Sequence, residues 1–353
     1  MEALRREKIE ERRAGNASSV KMMPPSTKPR LLVLELWRLG DLVISTPFLR
    51  AAVQRYDVTL LARPYAKDLQ IGLWPGVKIL PFIAPWTAFI GKYKIHQWPW
   101  REMFRFARQI RAEHFDVAAS ARWDPRNHLL LALTGAKKRF GFPRMGSRMF
   151  LTDPLTLPDP MAHRYDNWRI LGEALGLELP ARENIPAPVA QDGKVYDILV
   201  HTGAAQRVRV WPLDNYRKLV GRLRQQQYRV QVACDPDQRD WWLQNGEPAV
   251  SAPRTVTELL ELVKQSSVLI GNDSGPGHLA AFAGVPAFTI FGPQVPEWFA
   301  PLHPAAQWVE GKACPYKPCS DYCRFAEPIC LTGWSEAEIW TRVEPFVSKI
   351  RNG

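Results

Sequence analysis

No apolar run in this 353-residue sequence approaches the roughly 18–20 residues of a membrane-spanning helix. The longest candidates, such as 129–133, are about five residues, so a soluble or peripheral protein is expected. The first thirteen residues alternate in charge and lack an apolar core, so no secretory signal is expected and a cytoplasmic location is the default. Cysteine is scarce, at five residues. In a reducing compartment these should be thiols or metal ligands rather than disulfides. Low complexity is absent too: 46% hydrophobic and 23% charged residues exclude disorder for the bulk of the chain. Acidic residues are outnumbered, 35 against 47 basic, for a net charge of +12. That excess favours anionic ligands without choosing among nucleic acid, acidic membrane and phosphorylated substrates. The basic residues are dispersed and form no recognised module, so nucleic acid is not an expected partner.

The length suits two domains better than one core. Residues 1–30 read as an N-terminal tail, with a short charged helix over 2–13. A strand over 31–36, a turn, a helix over 42–55 and a strand over 58–62 imply a parallel α/β sheet. Residues 74–106, rich in Trp, Pro and basic side chains, read as a long ordered loop leading into a helix over 101–113. A strand over 115–119, a helix over 127–133, a strand over 138–142 and a helix over 165–175 follow. The Pro-rich stretch 180–188 is the candidate linker. The alternation then restarts, with strands over 197–200, 228–233, 267–270 and 287–291. Helices are expected over 213–225, 237–244, 256–265 and 278–283. Two α/β halves, 31–185 and 190–345, place a site in the cleft between them, at the carboxyl ends of the strands.

Three segments at such strand ends carry chemistry. Gly271-Asn272-Asp273-Ser274-Gly275-Pro276-Gly277-His278 joins a strand to a helix. Its glycines admit a ligand close to the backbone, and the helix N-terminus favours a phosphate. Read plainly, it is a capped turn with Asp273 or Ser274 as N-cap. Arg38-Leu39-Gly40-Asp41 opens the first helix; Asp41 is either an N-cap or a general base facing the cleft. His201-Thr202-Gly203-Ala204, followed by Arg207 and Arg209, fits diphosphate recognition by guanidinium; otherwise it is a solvated basic loop. Trp211-Pro212 reads as packing and helix initiation.

These segments, in this order and at these distances, resemble glycosyltransferase family 9, the ADP-heptose:lipopolysaccharide heptosyltransferases, over roughly residues 31–345. The resemblance implies the GT-B fold: an α/β architecture of two Rossmann-like domains facing across a cleft, with acceptor on the first and nucleotide sugar on the second. It implies that Asp41 is the catalytic base. It places Arg209 where many members carry a Lys on the donor phosphates. Thr202, Gly203, Asp273, Ser274, Gly275 and His278 are then donor-binding. The implied reaction is an inverting transfer of heptose from an ADP-sugar donor to an anionic lipopolysaccharide core acceptor, with no metal or cofactor needed. The alternatives are a family member with another nucleotide sugar or acceptor, and an inactive nucleotide-binding scaffold. Retention of Asp41 argues against the scaffold.

On the acceptor side, Arg63, Arg122, Arg126 and Arg144, with Lys67 and Arg148, occupy loop-like positions suited to a phosphorylated acceptor. Each also reads as solvated surface. The Trp, Lys and Arg side chains of 86–105 suit either loop packing or a peripheral contact with the inner membrane. Asp235-Pro236-Asp237 is formally a DxD, read as a donor ribose or base contact, or a turn. Cys314, Cys319, Cys323 and Cys330 are spaced C-x4-C-x3-C-x6-C, unlike the C-x2-C pairs of zinc ribbons. They are a candidate metal or redox cluster. Cys234, at a strand end, reads as a buried inert thiol.

Overall fold

The structure, a computed structural model, describes residues 28–88, 92–189, 192–319 and 322–352. The expected helix over 2–13 lies outside them. Two parallel sheets organise the described residues. In the first, β1 (Arg30–Glu35), β2 (Asp57–Ala62), β3 (Lys78–Pro81), β4 (Val117–Ser120), β5 (Lys138–Gly141) and β6 (Asp153–Pro154) run in the order β3-β2-β1-β4-β5-β6. In the second, β7 (Tyr196–His201), β8 (Val230–Ala233), β9 (Ser266–Asn272), β10 (Ala287–Ile290) and β11 (Gln307–Val309) run in the order β11-β10-β9-β7-β8. Each order reverses beside its first strand, the switch point where doubly wound sheets open a crevice. Asp41 therefore follows β1, and the loops after β7 and β9 meet at the matching place in the second sheet.

β1 and β9 are central because they are apolar on both faces. Leu31 to Leu34 are fully buried, as are most of Val268, Leu269 and Ile270. One cluster of buried side chains runs from Val43, Phe48 and Leu49 in the first half to Leu279, Ala280 and Phe282 in the second. The halves are also tied by hydrogen bonds. His163 Nε2 bonds the Ala300 carbonyl at 3.0 Å, and Trp298 Nε1 donates to the Pro160 carbonyl at 2.9 Å.

The helix expected over 42–55 is two helices, Leu39–Ile44 and Thr46–Arg55. Pro47 cannot donate to Val43, and the hydroxyls of Ser45 and Thr46 donate back to the Leu42 and Val43 carbonyls. The loop expected over 74–106 contains β3, whose four residues are too short and too mixed to signal a strand. Part of it is core. Trp86 is 3% exposed and its Nε1 donates to Asn127 Oδ1 at 3.0 Å. No described helix is long and apolar enough to cross a membrane.

Candidate active site

A cavity of about 380 Å³ opens between the two sheets, within the range of small-molecule sites. Its wall from the first half includes Arg38, Leu39, Gly40, Asp41, Arg63 and Tyr65. The second half contributes His201, Gly203 to Gln206 and Arg209, then Asp235, the start of the helix Val256–Lys264 with the residues just before it, Asp273 to Pro276 with His278, and Phe299. The three segments singled out in the sequence, more than 150 residues apart at the extremes, thus line one space.

The second-half loops are held by one buried amide. Asn272, 1% exposed, accepts at Oδ1 from the Trp211 N–H and the Tyr216 hydroxyl, both at 2.9 Å. Its Nδ2 donates to the Thr202 carbonyl at 2.8 Å. Asn272 therefore locks the end of β9 to the 201–212 loop; no role had been assigned to it. Thr202 serves the same scaffold. Its hydroxyl donates to Gln238 and accepts from Trp242 Nε1, and the side chain is fully buried. Gly203 lines the cavity, and a Cβ there would lie 2.3 Å from Cγ of Asp235, which also lines it, so this position holds no side chain beside that carboxyl. Burial, and then the Asp237 charge, raise the Asp235 carboxyl above its ordinary value.

Arg209 reaches the cavity from a 3₁₀ turn and is braced by Asp273, Nη1 to Oδ2 at 3.2 Å. The helix Gly275–Phe282 begins at the cavity wall, three residues earlier than expected. Among the described residues no side chain caps it; Pro276 has no N–H and the Gly277 N–H bonds the Ser274 carbonyl at 3.3 Å, which leaves the Gly275 N–H, at the cavity wall, as the donor this turn offers an anion. Ser274 Oγ instead donates back to the Asn272 carbonyl at 3.3 Å. His278 is buried behind that turn. Burial drives its value down to about 4 against the pull of Asp41, so the ring is neutral near pH 7.

Asp41 lies in the first turn of the helix Leu39–Ile44, held by an ion pair between its Oδ1 and Arg122 Nη2. Burial opposes the Arg122 charge, but Asp41 and Glu35 outweigh it and keep the guanidinium protonated. Glu35 is buried at the end of β1, and burial pushes its carboxyl up to about 7.

The other basic candidates divide. Arg63 lines the cavity, its Nε donating to the Trp37 carbonyl at 3.1 Å. Arg122 is committed to carboxylates of its own chain. Arg126 is spent on Asp124, with Nε and Nη2 contacts of 2.9 and 2.7 Å, and does not line the cavity. Arg144 and Arg148 are exposed on a turn outside it. Sequence reasoning missed Arg164. Its guanidinium lies 4.6 Å from the Trp123 ring and 4.9 Å from the Trp298 ring, bridging the halves near Asp41. An isolated Arg at a helix start gives no sign of this.

Cys314, Cys319, Cys323 and Cys330 line one small hollow away from the cavity. Burial pushes the Cys330 thiol up to about 11. Among the described residues no group of three or more His, Cys, Asp or Glu is arranged to hold a metal ion. Burial likewise pushes the Cys234 thiol up to about 12, as expected of an inert thiol.

Comparison with known proteins bears on the fold and the family. A curated relative, lipopolysaccharide heptosyltransferase 3 of Escherichia coli K12, is 27% identical over 108 residues, 28% of this chain. The match spans only 31% of that relative's length. The fold matches a glycosyltransferase family 9 structure from Veillonella parvula with a TM-score of 0.74 at 18% identity, covering 91% of this chain and 98% of that one. It also matches an E. coli heptosyltransferase solved with ADP-2-deoxy-2-fluoro heptose, with a TM-score of 0.67 at 15% identity, over 90% and 99% of the chains. These likenesses place the two sheets in the GT-B fold. The sequence model of glycosyltransferase family 9 (heptosyltransferase) matches residues 103–329, well over half of the chain, so the chain belongs to glycosyltransferase family 9.

Proposed function

We propose that this chain is an inverting glycosyltransferase that moves a heptose from ADP-heptose to an anionic lipopolysaccharide core acceptor. The observation that carries the reading is the meeting of Asp41, from the first half, with Arg209 and the 273–278 turn, from the second, around one cavity. In this scheme the acceptor hydroxyl attacks the anomeric carbon and its proton passes to Asp41. The bond from that carbon to the β-phosphate oxygen breaks, and ADP leaves with the electron pair. Arg209 and the uncapped turn at Gly275 stabilise the charge that develops on ADP. Asp273 orients Arg209 for that task. A fold relative solved with an ADP-heptose analogue supports ADP-heptose as the donor. The acceptor hydroxyl would approach from the wall formed by Arg63 and Tyr65.

A lipid-linked acceptor calls for a peripheral membrane contact, and the helix Trp100–Ala112 offers one. Its ring ladder runs outward from the core: Trp86, Trp98, Trp100 and Phe104, at centroid spacings of 5.7, 5.5 and 6.1 Å. Phe104 is 63% exposed and shares an open hollow with Arg101, Arg105 and Arg108. Exposed aromatics flanked by arginines suit an anionic bilayer surface.

ADP release from ADP-heptose, dependent on a truncated lipopolysaccharide acceptor, tests the reading. Turnover with that pair supports it; ADP binding without turnover on any core acceptor removes the heptosyltransferase assignment.

A further inference from the structure

Asp41 is held by Arg122, and Arg122 is itself held from behind. One edge of its guanidinium, at Nη2, meets Asp41. Its Nε lies 3.7 Å from Oε2 of Glu35. Glu35 ends β1, a strand otherwise of Leu and Val after its first residue, and is 1% exposed. It lies outside the cavity lining and cannot touch a substrate. A carboxyl so buried is costly unless paired, and an apolar side chain of similar size would often be cheaper. What it gains is a defined set of partners. Glu35 Oε1 accepts the Trp37 N–H at 3.1 Å, and the Trp37 ring lies 5.4 Å from Arg122 Cζ. The Arg122 carbonyl bonds His128 Nε2 at 3.0 Å, and His128 Nδ1 meets Ser147 Oγ at 2.8 Å. The guanidinium is thus fixed at its backbone, its face and both carboxylate ends.

We propose that Glu35 is a positioning residue for the base: Glu35 and Asp41 share the Arg122 guanidinium, so Glu35 fixes where Asp41 points and divides the charge that Asp41 meets. The inference rests on the reading of Asp41 as the base. With Glu35 ionised, one positive charge serves two carboxylates, and Asp41 remains a good proton acceptor. With Glu35 protonated, Asp41 meets the whole guanidinium charge and is a weaker one. Arg38, Arg63, Tyr65, Asp124, Arg164 and His278 also face this cluster, beside the His128 already named. Arg164 stays charged near neutrality although burial lowers it to about 10, Tyr65 is held protonated by burial, and His278 is neutral. Glu35, held near 7 by burial, changes charge there.

The test is the pH dependence of acceptor-dependent kcat for wild type, Glu35→Gln, Glu35→Asp, Arg122→Gln and Asp41→Asn, with ADP binding measured on each to verify folding. Glu35→Gln should lower kcat at pH 7 about tenfold, since a slightly misplaced catalytic group costs at least that much. Its acid limb should move to lower pH, with the donor KM within about twofold of wild type. Glu35→Asp should recover part of the rate. Arg122→Gln removes the cation and should move the limb the other way, to higher pH, which keeps the proposal testable if Glu35→Gln does not fold. If Asp41→Asn is inactive while the limb and kcat of the Glu35 and Arg122 variants match wild type, the inference is overturned and the base reading stands. If Asp41→Asn turns over like wild type, the base reading fails and the inference falls with it.

Discussion

Gly40 lies against the imidazole of His278: a Cβ added at residue 40 would fall 2.7 Å from His278 Cδ2. The two residues belong to opposite halves and both line the cavity. The contact is matched in the other direction, where a Cβ on Gly275 would fall 2.9 Å from that of Leu39. Each half thus presents a glycine to a side chain of the other. That is why Asp41 and the 273–278 turn can approach so closely. Gly40→Ala should force the halves or the imidazole apart. We expect about 1–3 kcal/mol of destabilisation, typical of overpacking, and a fall in turnover that exceeds the loss of donor affinity. Denaturant unfolding and steady-state kinetics check both.

Arg209 is held in a fixed geometry, braced by Asp273. Arg209→Gln should cost about 10- to 100-fold in kcat/KM for the ADP-sugar, the worth of a charge-assisted hydrogen bond. Arg209→Lys should recover part of it, because a point charge replaces a planar fork. ADP-release kinetics across donor concentrations separate the two.

Arg101, Arg105 and Arg108 share one open hollow with Phe104. Replacing the three arginines with Glu should abolish co-sedimentation with vesicles rich in anionic lipid. Turnover on a short, soluble acceptor should be unchanged. Binding of wild type to anionic vesicles should weaken as salt is raised. Equal binding of wild type and variant would remove this helix from the membrane account.

His163 links the halves as a neutral ring. Its Nδ1 accepts the Tyr165 N–H at 3.1 Å, so Nε2 carries the proton donated to Ala300. Burial drives its value down to about 3, below the ordinary 6.5. The unfolded chain therefore binds the extra proton first. The stability this ring contributes is full above about 6.5 and is lost as pH falls toward 3. Glu35 acts in the opposite sense: its raised value favours the folded state below 4.5 and loses that contribution as pH rises to about 7. His163→Gln should flatten the acid side of the stability profile relative to wild type, measured by denaturant midpoints from pH 7 to pH 4.

The parts of the fold written in local pattern were readable. β1 and the helix Leu213–Gln225 follow from an apolar run and a helical period, and the helix matches its expected bounds. The three strand-end segments were readable because glycine, small polar residues and charge concentrate there. What sequence could not show is partnership across distance. Arg122 looks like any other loop arginine, yet it is spent on two carboxylates of its own chain. Thr202 sits in a phosphate-loop pattern, but its hydroxyl holds Gln238 and Trp242. Glu35 passed as one polar residue in a buried strand, and its role depends on a guanidinium 87 positions away. β3, at four residues, is defined by pairing with β2 rather than by its own pattern.

The most direct test of the account is ADP release from ADP-heptose by wild type and Asp41→Ala, with a truncated lipopolysaccharide acceptor present and absent. The account predicts acceptor-dependent turnover by wild type and a fall of at least about 10²-fold in the variant, the range for loss of a general base, with ADP binding retained. Undiminished turnover by Asp41→Ala would contradict it.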